Sequence, residues 1–187
     1  FTADGQAILA VVGRHGGSLL SRVAIEDGAL EELTDARHDV ICGSATPDGR
    51  HLAMTIGDPS TPGDLYVYDV EAKTLRRLWG PNAALLAETP LGEVEEIWYP
   101  SFDGTRVQGW IVKPPDFDAS RRYPLILQIH GGPHTAYGAG FFHEFRVLAK
   151  AGYVVLYTNP RGSTTYRQEF ANIIQYRYPG DDYHDLM

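Results

Sequence analysis

The sequence predicts two architectures in series: repeated antiparallel β-units, then a parallel α/β sheet. Three observations carry this. Thr2-Ala3-Asp4-Gly5-Gln6 recurs as Thr46-Pro47-Asp48-Gly49-Arg50, 44 residues later. Pro124 to Ile129 (PLILQI) is an almost unbroken apolar run, the pattern of a strand covered on both faces. Tyr153 to Tyr157 (YVVLY) is a second such run, reached from the first through a Gly-rich loop and a helical pattern.

Composition bounds the function. A hydrophobic share of 43% with 21% charged residues is that of a globular protein. A formal net charge of −8 argues against a nucleic-acid or anionic-membrane partner. Cys42 is the single cysteine, which excludes a disulfide framework and a cysteine zinc site and is compatible with a cytoplasmic origin. No apolar run approaches the roughly 18 residues of a membrane span. The chain opens at Phe1 without an initiator Met and closes at Met187 inside a helix-like segment (DDYHDLM). It is therefore expected to be a piece of a longer polypeptide.

Residues 1 to 79 read as short strands, at Ala7–Val12, Leu19–Ile25 and Leu30–Leu33, separated by turns at Asp4-Gly5, Asp27-Gly28 and Asp48-Gly49. The second unit follows the first: Val23-Ala24-Ile25 falls on Val67-Tyr68-Asp69, and Leu33 on Leu78 with one residue inserted. Four-stranded units recurring at about 40–45 residues are the signature of β-propeller blades. A β-sandwich whose turns recur is the alternative. Two blades cannot close a propeller, so more are expected before Phe1. Gly80 to Gly92 is the connector, with a short helix over Pro81–Glu88 ended by Pro90 and Gly92. Residues 1–86 are thus assigned to C-terminal propeller blades and residues 87–187 to the second domain.

From Val94 the repeat disappears. Glu96–Tyr99 and Val107–Val112 form a hairpin around Asp103-Gly104, ended by Lys113-Pro114-Pro115. After PLILQI, Phe141, Phe145 and Leu148 share one face of a helix that Gly152 terminates. YVVLY then pairs parallel to PLILQI through a right-handed crossover. Tyr166, Phe170, Ile173 and Ile174 lie at helical spacing, Pro179-Gly180 break that helix, and Asp181 or Asp182 caps the next. The resulting class is β-propeller blades followed by the N-terminal half of an α/β-hydrolase.

His130-Gly131-Gly132-Pro133 stands at the carboxyl end of the first buried strand, where open α/β sheets bind ligands. Glycine lets backbone N–H groups turn outward with no Cβ in the way, and in α/β-hydrolases an HGG-type loop supplies an oxyanion-hole donor. The bland reading is a tight turn. Acyl transfer also needs a serine in a G-x-S-x-G elbow, followed by an acid and a histidine. Gly16-Gly17-Ser18-Leu19-Leu20 lacks the last glycine, and Gly43-Ser44 and Gly162-Ser163 lack the spacing. The nucleophile is therefore expected elsewhere. His130 and His134 are four apart, but Gly131-Gly132-Pro133 forbids a helix that would align them. His143-Glu144 lacks the second histidine of H-E-x-x-H, since Val147 stands there. No metal or other cofactor is expected. Arg161, in Asn159-Pro160-Arg161-Gly162, reads as a carboxylate binder, either of a substrate terminus or of an internal partner, with Asp182 and Asp185 as candidates.

Ser101-Phe102-Asp103-Gly104, Gly109 to Pro114 (GWIVKP), Tyr123 to Leu127 (YPLIL), His130 to Pro133 (HGGP) and Asn159 to Ser163 (NPRGS) come in the order and spacing of the prolyl oligopeptidase family. HGGP and NPRGS are similar to its acylaminoacyl-peptidase branch. The resemblance is specific over Glu93 to Met187 and looser before it. It implies a serine peptidase of short peptides, with an active site facing the cavity between the two domains. A backbone N–H of Gly132 or Gly131 would help hold the oxyanion. His130 stands where other branches place a tyrosine with that task. Arg161 and Tyr166 would bind substrate or brace the site. Partners would be short peptides and the rest of the same polypeptide. A carboxylesterase of the same fold and a non-catalytic propeller protein are the alternatives. Where the family often continues Arg-Gly-Ser-x-Gly-Tyr-Gly, Thr165 and Arg167 replace both glycines, so a stiffer or differently shaped loop is expected. Tyr178-Pro179-Gly180-Asp181 also departs from the Trp-Gly-Gly often found before the next helix.

Overall fold

The computed structural model describes residues 1–187, the side chain of Cys42 excepted, so expectations about that thiol lie outside the described residues. The chain divides into two compact units. One is Phe1–Leu85 with Gly138–Phe141, and the other is Leu86–Tyr137 with Phe142–Met187.

In the first unit, seven strands make two meanders: β1 (Ala7–Arg14), β2 (Gly17–Ala24) and β3 (Leu30–Glu32), then β4 (Asp39–Ala45), β5 (His51–Asp58), β6 (Thr61–Asp69) and β7 (Thr74–Trp79). Pairing within each is antiparallel, and one parallel pair, Ser18 with Asp39, joins β2 to β4. The sequence repeat is a structural one. β5, β6 and β7 begin 44 residues after β1, β2 and β3 respectively.

The turn before each copy is built identically. Thr2 Oγ1 donates to Asp4 Oδ1 at 2.5 Å, and the Gln6 N–H donates to the same oxygen at 3.0 Å. Thr46 Oγ1 and the Arg50 N–H repeat this on Asp48 Oδ1 at 2.6 and 3.1 Å. Such side-chain closure is what Asp and Thr contribute to turns. Gly5 and Gly49 follow at φ 68° and 67°, where a side chain would be strained. Inward positions of the strands (Leu20, Val40, Leu52, Met54, Ile56 and Tyr68) form the core of this unit. No closed propeller is formed by these strands. The β4 strand was not marked by the sequence pattern, because Gly43 and Ser44 dilute its alternation.

Helix α1 (Ala83–Glu88) follows β7. The second unit then holds β8 (Val94–Pro100), β9 (Arg106–Val112), β10 (Leu125–Ile129), α2 (His143–Lys150), β11 (Val154–Asn159), α3 (Arg167–Asn172) and α4 (Asp182–Leu186). Strand order is β10-β11-β9-β8. β10 and β11 run parallel from Leu125 opposite Val154 to Ile129 opposite Thr158, and the other pairs are antiparallel.

Helix α2 covers one face of this sheet. Phe145 and Ala149 pack on Trp110, Val112, Val155 and Tyr157, with the Trp110 and Tyr157 rings stacked 5.1 Å apart. A Schellman closure ends the helix: the Gly152 N–H donates to Ala149 O at 3.0 Å and the Tyr153 N–H to Leu148 O at 3.2 Å. Gly152 has the positive φ, 98°, that this closure needs.

Two expectations are corrected. The α2 helix starts at His143, because Phe142 takes an extended backbone (φ −98°, ψ 98°), so Phe141 lies outside the helical face. PLILQI is not covered on both faces along its whole length. β10 is an outer strand, and Leu125 and Ile129 are 59% and 54% exposed.

Candidate active site

Because β10 and β11 are parallel, the loops that leave them, 130–137 and 160–166, emerge at the same sheet edge. The second loop cradles the first. Nε2 of His130 lies 2.9 Å from Ser163 Oγ, and Ser163 Oγ donates its proton to Pro160 O at 2.6 Å. Nδ1 of the same ring lies 2.9 Å from Gly131 O. Further along, His134 Nδ1 lies 3.1 Å from Gly162 O, and the Thr164 N–H donates to Thr135 O at 2.9 Å. Asn159 completes the contact through two bonds to the Tyr137 backbone, each 2.8 Å.

Gly131 and Gly132 are exposed, and their N–H groups have no acceptor among the described residues. A Cβ on Gly131 would meet open space. One on Gly132 (φ 129°) would come within 2.9 Å of His134 N and 3.1 Å of Thr135 Cγ2. The loop thus presents unclaimed donors while its flanks are tied down. Preorganised donors of this kind are what a developing oxyanion requires.

Arg161 does not face the solvent. The guanidinium is 3% exposed and spreads over two carboxylates. Nε and Nη2 donate to Asp185, and Nη1 and Nη2 donate to Asp103 Oδ2 and Oδ1 at 3.0 and 3.1 Å. Asp181 stands 3.8 Å away, and Phe102 lies under the cation at 5.1 Å. Its donors are therefore occupied by internal groups. Asp182 is not among them, since it accepts the Gly180 N–H at 2.6 Å. Asp103 was missed by the sequence reading because it lies 58 residues before Arg161, in the β8–β9 turn.

Tyr166 also points inward. Its hydroxyl accepts from Asn159 Nδ2 at 2.7 Å and donates to Gln108 Oε1, and Gln108 Nε2 donates to Glu96 Oε1 at 2.7 Å. Burial pushes the Tyr166 phenol well above its ordinary range. Thr165 and Arg167, on either side, hold φ of 74° and 73°. These residues therefore hold the left-handed backbone that glycine adopts without strain. Ser163 is fully buried with its proton committed to Pro160 O, which removes it as a nucleophile. Among the described residues no cluster of His, Cys, Asp and Glu stands ready for a metal ion.

The prolyl oligopeptidase family model matches residues 139–187. The uncharacterized peptidase YuxL of Bacillus subtilis is 37% identical over 187 residues, all of this chain and 28% of that protein. Dipeptidyl-peptidase 5 of Schizosaccharomyces pombe is 30% identical over 192 residues, all of this chain and 27% of that protein. Among solved structures, the acylaminoacyl peptidase of Pyrococcus horikoshii superposes with a TM-score of 0.85 at 26% identity, over 97% of this chain and 28% of its own. The chain thus spans 28% and 27% of the length of these two curated relatives. The motifs around the cradled loop and these likenesses agree: the chain is similar to peptidases of the prolyl oligopeptidase family, whose model it matches over residues 139–187.

Proposed function

We propose that this chain is the propeller-to-hydrolase junction of a serine peptidase acting on short peptides. In this reading residues 1–86 are the last propeller blades, and residues 87–187 are the first half of the hydrolase domain. One observation carries it: the exposed Gly131 and Gly132, whose N–H groups have no acceptor among the described residues, sit in a braced loop at the carboxyl edge of a parallel strand. There they would receive the oxyanion formed when a serine attacks a peptide carbonyl. The serine is supplied from outside residues 1–187, because no G-x-S-x-G elbow occurs within them. His130 braces the donors through Ser163, while Arg161 and Tyr166 are structural members of the site.

The test uses a fluorophosphonate probe and a substrate panel. The complete polypeptide is expected to label covalently and to release anilide from acylaminoacyl or dipeptidyl substrates. The 187-residue chain alone is expected to remain unlabelled. Labelling of the isolated chain sinks the claim that the nucleophile lies elsewhere. Turnover of short-chain esters without peptides turns the reading to a carboxylesterase.

A further inference from the structure

Between His130 and His134 the loop has few bonds of its own, so its path depends on how its two ends are held. His130 holds the near end, through Ser163. At the far end stands Tyr137, outside any strand. The Asn159 side chain, 0% exposed, takes the place a neighbouring strand would fill. The Tyr137 N–H donates to Asn159 Oδ1, and Asn159 Nδ2 donates to Tyr137 O. The second Nδ2 proton goes to Tyr166 OH, so both amide protons and the carbonyl oxygen are used.

The clamp reaches His130 by packing. The Tyr137 ring meets the His130 ring edge-on at 5.3 Å, and is itself wedged against Phe142, Phe145 and Tyr157 at 5.4 to 5.5 Å. A shift of Tyr137 therefore moves the residue that precedes Gly131.

We propose that Asn159 is a positioning residue of the oxyanion loop: by pairing with both backbone groups of Tyr137, it sets where the Gly131 and Gly132 N–H groups point. The catalytic meaning of that loop rests on the function proposed above, whereas the clamp itself does not. Asparagine is specifically suited. Aspartate keeps the Oδ1 acceptor but cannot donate to Tyr137 O or to Tyr166. Alanine loses all three bonds.

The experiment compares wild type, Asn159→Asp and Asn159→Ala in the complete polypeptide. Three quantities are read: amide hydrogen exchange, anilide turnover, and inhibition by a peptide boronate that mimics the tetrahedral intermediate. In the wild type the Tyr137 amide is expected to be protected despite its place in a loop. In the variants, exchange over residues 131–137 is expected to rise while β9 and β11 exchange as in the wild type. Turnover is expected to fall about 100-fold in kcat, with KM little changed and boronate affinity lost in step, as misplacement of a catalytic group by about 1 Å produces.

A wild-type Tyr137 amide that exchanges like free loop overturns the proposal. So do loop exchange rates unaltered by either variant, or a rise spread equally over β9 and β11, which marks a merely structural role. If Asn159→Ala does not fold, Asn159→Asp and the wild-type amide decide the matter. A wild type that hydrolyses no peptide overturns the peptidase reading and leaves the exchange measurements to judge the clamp.

Discussion

Arg161 and Asp185 meet by main chain and side chain at once: the Arg161 backbone N–H donates to Asp185 Oδ2 at 2.7 Å, and Nε and Nη2 donate to the same carboxylate at 2.9 and 2.8 Å. The pair ties the loop after β11 to α4, and Asp103 ties both to the β8–β9 turn. Both partners are at most 3% exposed. Removing Arg161 leaves the buried Asp185 carboxylate unpaired, which costs about 3–5 kcal/mol. Arg161→Ala is accordingly expected to lower stability by that amount in denaturant titrations of the complete polypeptide, and Asp185→Ala by less, because Asp103 still pairs the guanidinium. Arg161→Lys keeps the charge but not the fork of donors, and is expected to lose a large part of the same stability.

Acid should act through Asp103. Its carboxyl is held well below the usual range, first by the Arg161 guanidinium and then by the Thr105 N–H. The folded form gives up this proton more readily than the unfolded chain. The stabilisation is therefore present above about pH 4 and is lost as the pH falls toward the depressed value. Asp35, brought to about 2 by Arg37, adds to the same trend in the other unit. Tm is expected to fall as the pH is lowered from about 4 toward 2, and Asp103→Asn to make that drop shallower.

Thr165 and Arg167 should be improvable. A non-glycine residue in the left-handed region costs about 1–2 kcal/mol, and the added freedom of glycine in the unfolded chain returns part of this. Thr165→Gly and Arg167→Gly are each expected to raise stability by up to about 1 kcal/mol, read as a shift in Tm. Alanine at either position, which relieves no backbone strain, should bring no such gain.

The two glycines of the donor loop should differ. Gly132 has a positive φ and neighbours that a methyl group would strike, whereas Gly131 opens on free space. Gly132→Ala in the complete polypeptide is expected to lower kcat by about 10²–10³-fold, the cost of losing an oxyanion donor. Gly131→Ala should cost much less. Steady-state kinetics on one anilide substrate compares the two directly.

Much of this was legible in local sequence because its physics is local. Asp-Gly turns, the 44-residue repeat and the two apolar strands show in spacing and composition, and the structure starts the repeated strands in that register. The parallel pairing of β10 with β11 follows from a helix lying between them. Legibility ended where partners are distant in sequence. Asn159 finds Tyr137 22 residues away, His130 finds Ser163 33 away, and Arg161 finds Asp103 58 away. Asp182 and Asp185 looked equivalent from spacing. Only the placement of α4 decides that Asp185 turns to Arg161 while Asp182 accepts the Gly180 N–H, and neither Asp181 nor Asp182 caps the helix with its side chain as the spacing suggests.

The strand order of the second unit bears on how the polypeptide is made. β9 and β10 are neighbours in sequence, but β11 is inserted between them in the sheet. On a ribosome, the β8–β9 hairpin can close as soon as Val112 has emerged. β10 must then wait, apolar and without a backbone partner, until Val154 to Asn159 has been synthesised. Pairing that spans such a delay is slow to nucleate and open to wrong associations. The interval during which residues 125–153 leave the exit tunnel is where chaperone capture and synonymous changes in elongation rate should most affect the yield of folded protein.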